Sequence, residues 1–307
     1  MTRYEVVEGK VAESKAERAP IWVFSAPDDA EKARLIDEFK LDSHTLGSAL
    51  DPDEPSRLEF EPEHLAVIFK RPKNYSAKDQ FVFKVASTGL FLFKDKLVVV
   101  IAEDVPLFSG KYFHHLDDLE AVFLKLLYIS IWHYLEHLKV INMISEEIEK
   151  KINVSMENKY LLNLFSLEKS LVFYLNAINS NEFVFEKLKN NAQKIGFCPK
   201  CVEFLDDIII ENQQCYRQAE IYSNILASLM DARASIVGNN LNILMKKLNA
   251  IVVAVMVPGF FASVGGMSEW TMMTGRVSWQ LSYALFLAAM LLMGFATYYA
   301  IEKYERH

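Results

Sequence analysis

Hydrophobic and polar positions change rhythm along this chain, and the changes divide it. In the first hundred residues the apolar stretches are short and β-branched or aromatic: Ile21–Ser25, Leu65–Lys70, Phe81–Ser87, Leu90–Phe93 and Leu97–Ile101. They predict strands, with a hairpin turn at Lys94-Asp95-Lys96 and a charged amphipathic helix between strands at Asp28–Phe39. From about His115 the turn residues vanish and helical spacing runs to Lys194, with breaks expected near Asn153 and Ser180.

Beyond Pro199 the pattern lengthens again. Between Pro199 and Pro258 the only glycine is Gly238, so one helix of about 55 residues is allowed, roughly 80 Å at 1.5 Å per residue. Such a length predicts a stalk that enters a membrane. Its last part, Leu248–Gly265, and the uncharged run Trp279–Ile301 are each apolar enough for a membrane helix, and together they predict a hairpin through a hydrocarbon core roughly 30 Å thick. The expected layout is a mixed α/β domain at 1–115, a helical region at 116–200, a stalk at 201–247, spans at 248–265 and 279–301 around a loop at 266–278, and a tail at 302–307.

Along the long helix, Asp231, Ser235, Gly238, Asn242, Met245, Asn249, Val252 and Met256 recur at alternating four- and three-residue steps and form one heptad seam. The seam is small or polar in its first half and methionine or valine toward the span. Flanking stripes are apolar: Ile225, Leu229, Ala232 and Ile236 on one side, Val237, Leu241, Leu244 and Leu248 on the other. A helix with apolar flanks and a hydrophilic seam suits a symmetric ring of subunits whose seams face an axis. Asp231 then forms an acidic ring, Asn242 and Asn249 form carboxamide rings for hydrated ions, and Met245, Val252 and Met256 form dewetting constrictions. The competing reading packs the seam against another part of the same subunit.

Charge sets the expected topology. The N-terminal stretch has no apolar h-region, which predicts that the residues before the first span stay in the cytosol. Lys246 and Lys247 precede the first span, Lys303 and Arg306 follow the second, and Arg276 is the one cation of the loop, so both termini are expected inside. A net charge of −7 and a pI near 5.6 give no support for nucleic-acid binding. No P-loop, HExxH or nucleophile motif is present, so an enzyme is not expected.

Three cysteines fit a reducing compartment. Cys198 and Cys201 form a CPKC turn that could be half of a zinc ribbon, but Cys215 is the only other cysteine, and two incidental thiols at a helix-hairpin tip are the favoured reading. His133 and His137, one helical turn apart among Trp132, Tyr134 and Leu135, likewise read as packed helix surface rather than a metal pair.

The stretch from Tyr216-Arg217 through GNNLNILMKKLNAIVVAVMVP to Gly266-Met267, with its short loop and second span, resembles the CorA magnesium-transporter family, and LEFEPEHLAVIFKRP is similar to a strand region of that family. The resemblance implies an α+β cytosolic domain, a helical stalk and two C-terminal transmembrane helices in a funnel-shaped homopentamer. It further implies location in the inner (plasma) membrane and a pore lined by the first span. Family pore positions match Asp231, Asn242, Met245, Leu248 and Met256, with Met245, Leu248 and Met256 as the hydrophobic gate. Mg²⁺ is then the expected ion, with Co²⁺, Ni²⁺ or Zn²⁺ as alternatives. Asp206 and Asp207 lie where the family places an acidic partner for a regulatory divalent ion between subunits. The chain departs from the family at its Gly-Met-Asn signature, reading Gly266-Met267-Ser268-Glu269. A serine hydroxyl holds the water shell of Mg²⁺ less closely than an asparagine does, which leaves selectivity open toward the zinc-transporting ZntB branch or toward a non-conducting scaffold.

Overall fold

A computed structural model describes every residue except 17, 76–80, 109–112, 114, 115, 117, 155–157, 267–271, 273, 274, 306 and 307, and gives the backbone but not the side chains of 152–154, 158, 265 and 305. The chain divides into two compact units, Met1–Met230 and Asp231–His307.

The first unit is built on a seven-stranded sheet of order β2-β1-β3-β7-β6-β5-β4. Its strands are β1 (Thr2–Val7), β2 (Lys10–Glu13), β3 (Ile21–Ser25), β4 (Arg57–Phe60), β5 (His64–Pro72), β6 (Val85–Phe93) and β7 (Leu97–Ile101). Only the β3 and β7 pair is parallel; every other neighbouring pair is antiparallel. The central strands are apolar on both faces because both are covered, and alternation sorts them. Ile21, Val23, Val67, Leu90 and Val99 point into one core, and Trp22, Phe24, Ile68, Phe91 and Val100 into the other.

The second of these cores is closed by α1 (Asp29–Asp37) and α2 (Ser43–Leu50). Both begin on an aspartate cap: the Glu31 N–H donates to Asp28 at 2.8 Å and the Thr45 N–H to Asp42 at 3.0 Å. The first core is closed by α3 (Leu119–Val154), α4 (Asn158–Asn190) and the early part of α6 (Pro199–Gly265); the short α5 (Ala192–Ile195) joins α4 to α6. Gly196 ends α5 in the left-handed region at φ 95°.

Five expected strand stretches and the helix at Asp28–Phe39 meet their elements, with three corrections. Of Phe81–Ser87 only Val85–Ser87 is strand, and it continues without a break through Leu90–Phe93 as β6, while Phe81–Lys84 precede it. Gly89, between the two stretches, is required inside the strand, because a Cβ there would stand 2.7 Å from the Ala49 Cβ of α2. No break occurs near Ser180. The Ser and Asn residues there bind α4 to the sheet instead: Ser180 accepts the Ser56 N–H at 2.8 Å, and the fully buried Asn181 accepts from Lys70 N at 2.8 Å and donates to Lys70 O at 2.7 Å. The long helix exceeds its expected length, 67 residues rather than about 55, because it continues through Pro258.

In the second unit α6 runs on to Gly265, and α7 (Trp279–Glu305) follows. Pro258 has no N–H for the carbonyl of Ala254, one turn back. The face of α7 that meets this place is a glycine: a Cβ on Gly294 would lie 3.3 Å from the Ala254 oxygen and 3.7 Å from the Pro258 ring. The missing side chain lets the two helices close on each other where the helical hydrogen-bond ladder is interrupted.

Candidate functional site

The candidate site is the seam of α6 in the second unit. Asp231, Ser235, Gly238, Asn242, Met245, Asn249, Val252 and Met256 are all solvent-exposed in the single chain. At about 100° per residue the direction shared by Met245, Asn249, Val252 and Met256 lies roughly opposite that of Ala250, Ala254 and Pro258. Ala250 and Ala254 are 4% and 9% exposed, and Ala254 and Pro258 line an apolar groove with Leu287, Gly294 and Phe295 of α7. α7 thus covers the back of α6 between Ala250 and Pro258 and leaves the seam there uncovered. Ser235 turns its hydroxyl onto the Asp231 carbonyl at 3.1 Å, one turn back, so it adds little to the polarity of the seam.

The apolar flanks are also open. Ile236 on one flank and Val237, Leu241, Leu244 and Leu248 on the other are each at least 45% exposed, more apolar surface than a water-soluble monomer carries. Leu248 sits beside the seam rather than on it, and Met245 and Met256 lie on it. Gly266 is at the end of the helix; Met267, Ser268 and Glu269, like Arg306, lie outside the described residues.

Asp206 and Asp207 are in the first unit near the start of α6. Asp206 is bound by Lys189 of α4 at 2.6 Å, a partner that sequence spacing did not reveal, while Asp207 is exposed. Both members of the ion pair are nearly half exposed, so water competes for it and the pair is weak.

The remaining chemistry-bearing groups separate cleanly. His137 is packed in the core, where its Nδ1 meets the Tyr174 hydroxyl at 2.6 Å; burial and the neighbouring His133 push its pKa down to about 4. Burial and Arg71 lower His133 as well. His137 thus lies in the core, while His133 is half-buried one turn before it. Cys198 and Cys201 are at the first turn of α6 with sulfurs 2.9 Å apart, and the structure brings Glu120 of α3 to them, a residue that no spacing rule connects with a CPKC turn. Burial and the nearby Asp118 carboxylate raise the Glu120 carboxyl, and burial and Cys198 push the Cys201 thiol up to about 12.

Among the described residues, three helices are long and apolar enough to cross a membrane by length and composition: α4, α6 and α7. The cobalt/magnesium transport protein CorA of Methanocaldococcus jannaschii is 24% identical over 277 residues, covering 86% of this chain and 84% of that protein. The complete structure of the CorA magnesium transporter from the same organism superposes with a TM-score of 0.73 at 18% identity, covering 97% of this chain and 95% of that one. The ZntB cytoplasmic domain from Vibrio parahaemolyticus has a TM-score of 0.60 at 12% identity, covering 78% of this chain and 98% of its own. Residues 18–303 match the family described as CorA-like Mg²⁺ transporter protein. With nearly its whole length inside that match, the chain belongs to the CorA-like Mg²⁺ transporter family.

Proposed function

We propose that this chain is one subunit of a homopentameric divalent-cation channel. It conducts Mg²⁺, and also Co²⁺ or Ni²⁺, through a pore lined by the α6 seam of every subunit. It sits in the inner (plasma) membrane as a two-span protein with both termini cytosolic. The observation that carries this reading is the opposition on α6: apolar packing against α7 behind, and an exposed polar and methionine seam in front.

The residue roles follow from ring symmetry. Asp231 draws cations to the cytosolic half of the pore, and the carboxamides of Asn242 and Asn249 bond to the water shell that Mg²⁺ sheds reluctantly. Met245, Leu248 and Met256 close the pore by dewetting. At the outer mouth Ser268 replaces asparagine, and the Glu269 carboxylates supply attraction by charge, which salt screens over about 8 Å. Asp206 and Asp207 bind a regulatory divalent ion between subunits, and Lys189 must release Asp206 for this. Inward flow is driven by the membrane potential, roughly 4.6 kcal/mol per 100 mV for two charges.

Ser268 also favours a second reading, zinc as the physiological ion. Flux into liposomes loaded with an ion-sensitive dye distinguishes the readings. Mg²⁺ uptake with Co²⁺ and Ni²⁺ as competitors supports the first, uptake of Zn²⁺ but not Mg²⁺ supports the second, and no flux of any of the four overturns both.

A further inference from the structure

The CPKC turn is not used by the pore, and the structure gives it a partner. Cys198 caps α6: its carbonyl accepts the Val202 N–H at 3.1 Å and its sulfur accepts the Cys201 N–H at 3.3 Å, the position where a serine or aspartate oxygen usually stands. An amide aimed at this sulfur complements the negative charge that a metal-bound thiolate keeps. Cys201, one turn further, is 6% exposed, and both thiols are free. Glu120, the second residue of α3, brings a carboxylate oxygen to 3.8 Å from the Cys201 sulfur. One donor atom from each of the three residues lies within 4.8 Å of the other two.

We propose that Cys198, Cys201 and Glu120 form a binding site for one thiophilic divalent ion of the Zn²⁺ class in the first unit, distinct from the pore and from its transported hard cation. Bonds of about 2.3 Å to sulfur and 2.0–2.2 Å to oxygen in a tetrahedral site place ligand atoms roughly 3.6–3.8 Å apart. The separation of the Cys201 sulfur from the Glu120 oxygen, 3.8 Å, already matches this. The sulfur–sulfur separation of 2.9 Å has to open by less than about 1 Å, a small rotation for the half-exposed Cys198 side chain. Two sulfurs in the set select against Mg²⁺, which takes oxygen ligands in an octahedron.

Access is present on the carboxylate side. Glu120 lines a cleft of about 880 Å³ with Asp118, His64 and Lys194, which gives an ion a route in and leaves room for water as the fourth ligand. Three protein ligands and a water describe an exchangeable site rather than a closed structural one. The bound ion would tie the first turn of α3 to the first turn of α6.

The test uses the full-length chain in detergent, reduced with a phosphine, stripped with chelator and held in excess Mg²⁺ so that hard sites are filled. Titration with Co²⁺ is followed by the sulfur-to-cobalt charge-transfer band, which oxygen and amide ligands in a pore do not produce, and zinc per chain is counted by elemental analysis after gel filtration. The expected result is a band saturating at one equivalent, one zinc per chain, loss of the band in Cys198→Ser and in Cys201→Ser, and affinity weakened about ten-fold or more in Glu120→Gln. Absence of the band in the wild type overturns the proposal, whether or not the serine variants fold. A band that persists undiminished in the double variant Cys198→Ser/Cys201→Ser moves the site to Cys215 and also overturns it, and unchanged affinity in Glu120→Gln overturns the three-residue site by removing the carboxylate from it.

Discussion

α4 and α7 are both long and apolar enough to cross a membrane, yet they solve opposite problems. In the most apolar window of α4, 39% of residues are buried within the chain; in that of α7, none are. α4 keeps Glu168, Lys169, Glu182, Glu186 and Lys187 along its length and buries Leu164, Leu167, Leu171, Tyr174 and Ile178 against the sheet and α3, while Leu162, Phe165, Val172 and Phe183 stay exposed among its charges. α7 carries no charge from Trp279 to Ile301, and apart from the face that meets α6 its leucines and aromatics are exposed. The difference teaches that total hydropathy does not tell where a helix goes, whereas its distribution does: a stripe demands a protein core, and a full cylinder demands lipid.

The comparison breaks most visibly by truncating a leucine on each helix. Leu171 is fully buried and Leu291 is 62% exposed, so Leu171→Ala should cost about 2–5 kcal/mol through its cavity while Leu291→Ala costs less than about 1 kcal/mol. Denaturant unfolding of the detergent-solubilised chain checks both, and equal losses would place the two helices in the same kind of environment.

The next effect is titration of the α4 contact. His137 titrates at about 6.5 in the unfolded chain and about 4 in the folded one. Between these values the unfolded state binds the extra proton, so the contribution is fully present above pH 6.5 and is lost as pH falls toward 4, by roughly 3 kcal/mol in all. His137→Asn should flatten the stability curve in that window, although it also loses the Tyr174 contact at every pH; an unchanged slope would show that another group drives the acid sensitivity.

Within the second unit, Gly294→Leu should cost about 1–3 kcal/mol by forcing α7 from Ala254 and Pro258, and Gly294→Ala less, read as a lower melting temperature. The smallest effect belongs to the surface. Lys189→Ala frees Asp206 and should change stability by less than about 1 kcal/mol, while raising divalent-ion protection against proteolysis if the Asp206 and Asp207 reading holds.

The elements with strong period, β3, β5, β7, α1, α3 and the two long apolar helices α6 and α7, were legible from residues alone because their apolar positions recur at the period of the element. β1, β2 and β4 were not: TRYEVV, KVAE and RLEF are polar edge or near-edge strands whose pairing partners decide them. α2, SHTLGSAL, has weak helix formers and is held by its Asp42 cap and by contact with Gly89. The α6 seam was legible because one helix carries it. The Lys189 and Asp206 pair and the approach of Glu120 to the cysteines were not, since each joins residues of different helices.

The central claim is that the exposed α6 seam faces the ion path and the α7 side does not. Cysteine introduced at Asn249 on the seam and at Leu291 on α7, followed by a water-soluble thiol-modifying reagent during Mg²⁺ uptake into liposomes, tests it directly, with the wild type reporting any effect at native thiols. The account predicts that modification blocks uptake in Asn249→Cys and leaves Leu291→Cys and wild type unchanged. Uptake that continues in a fully modified Asn249→Cys variant would contradict it.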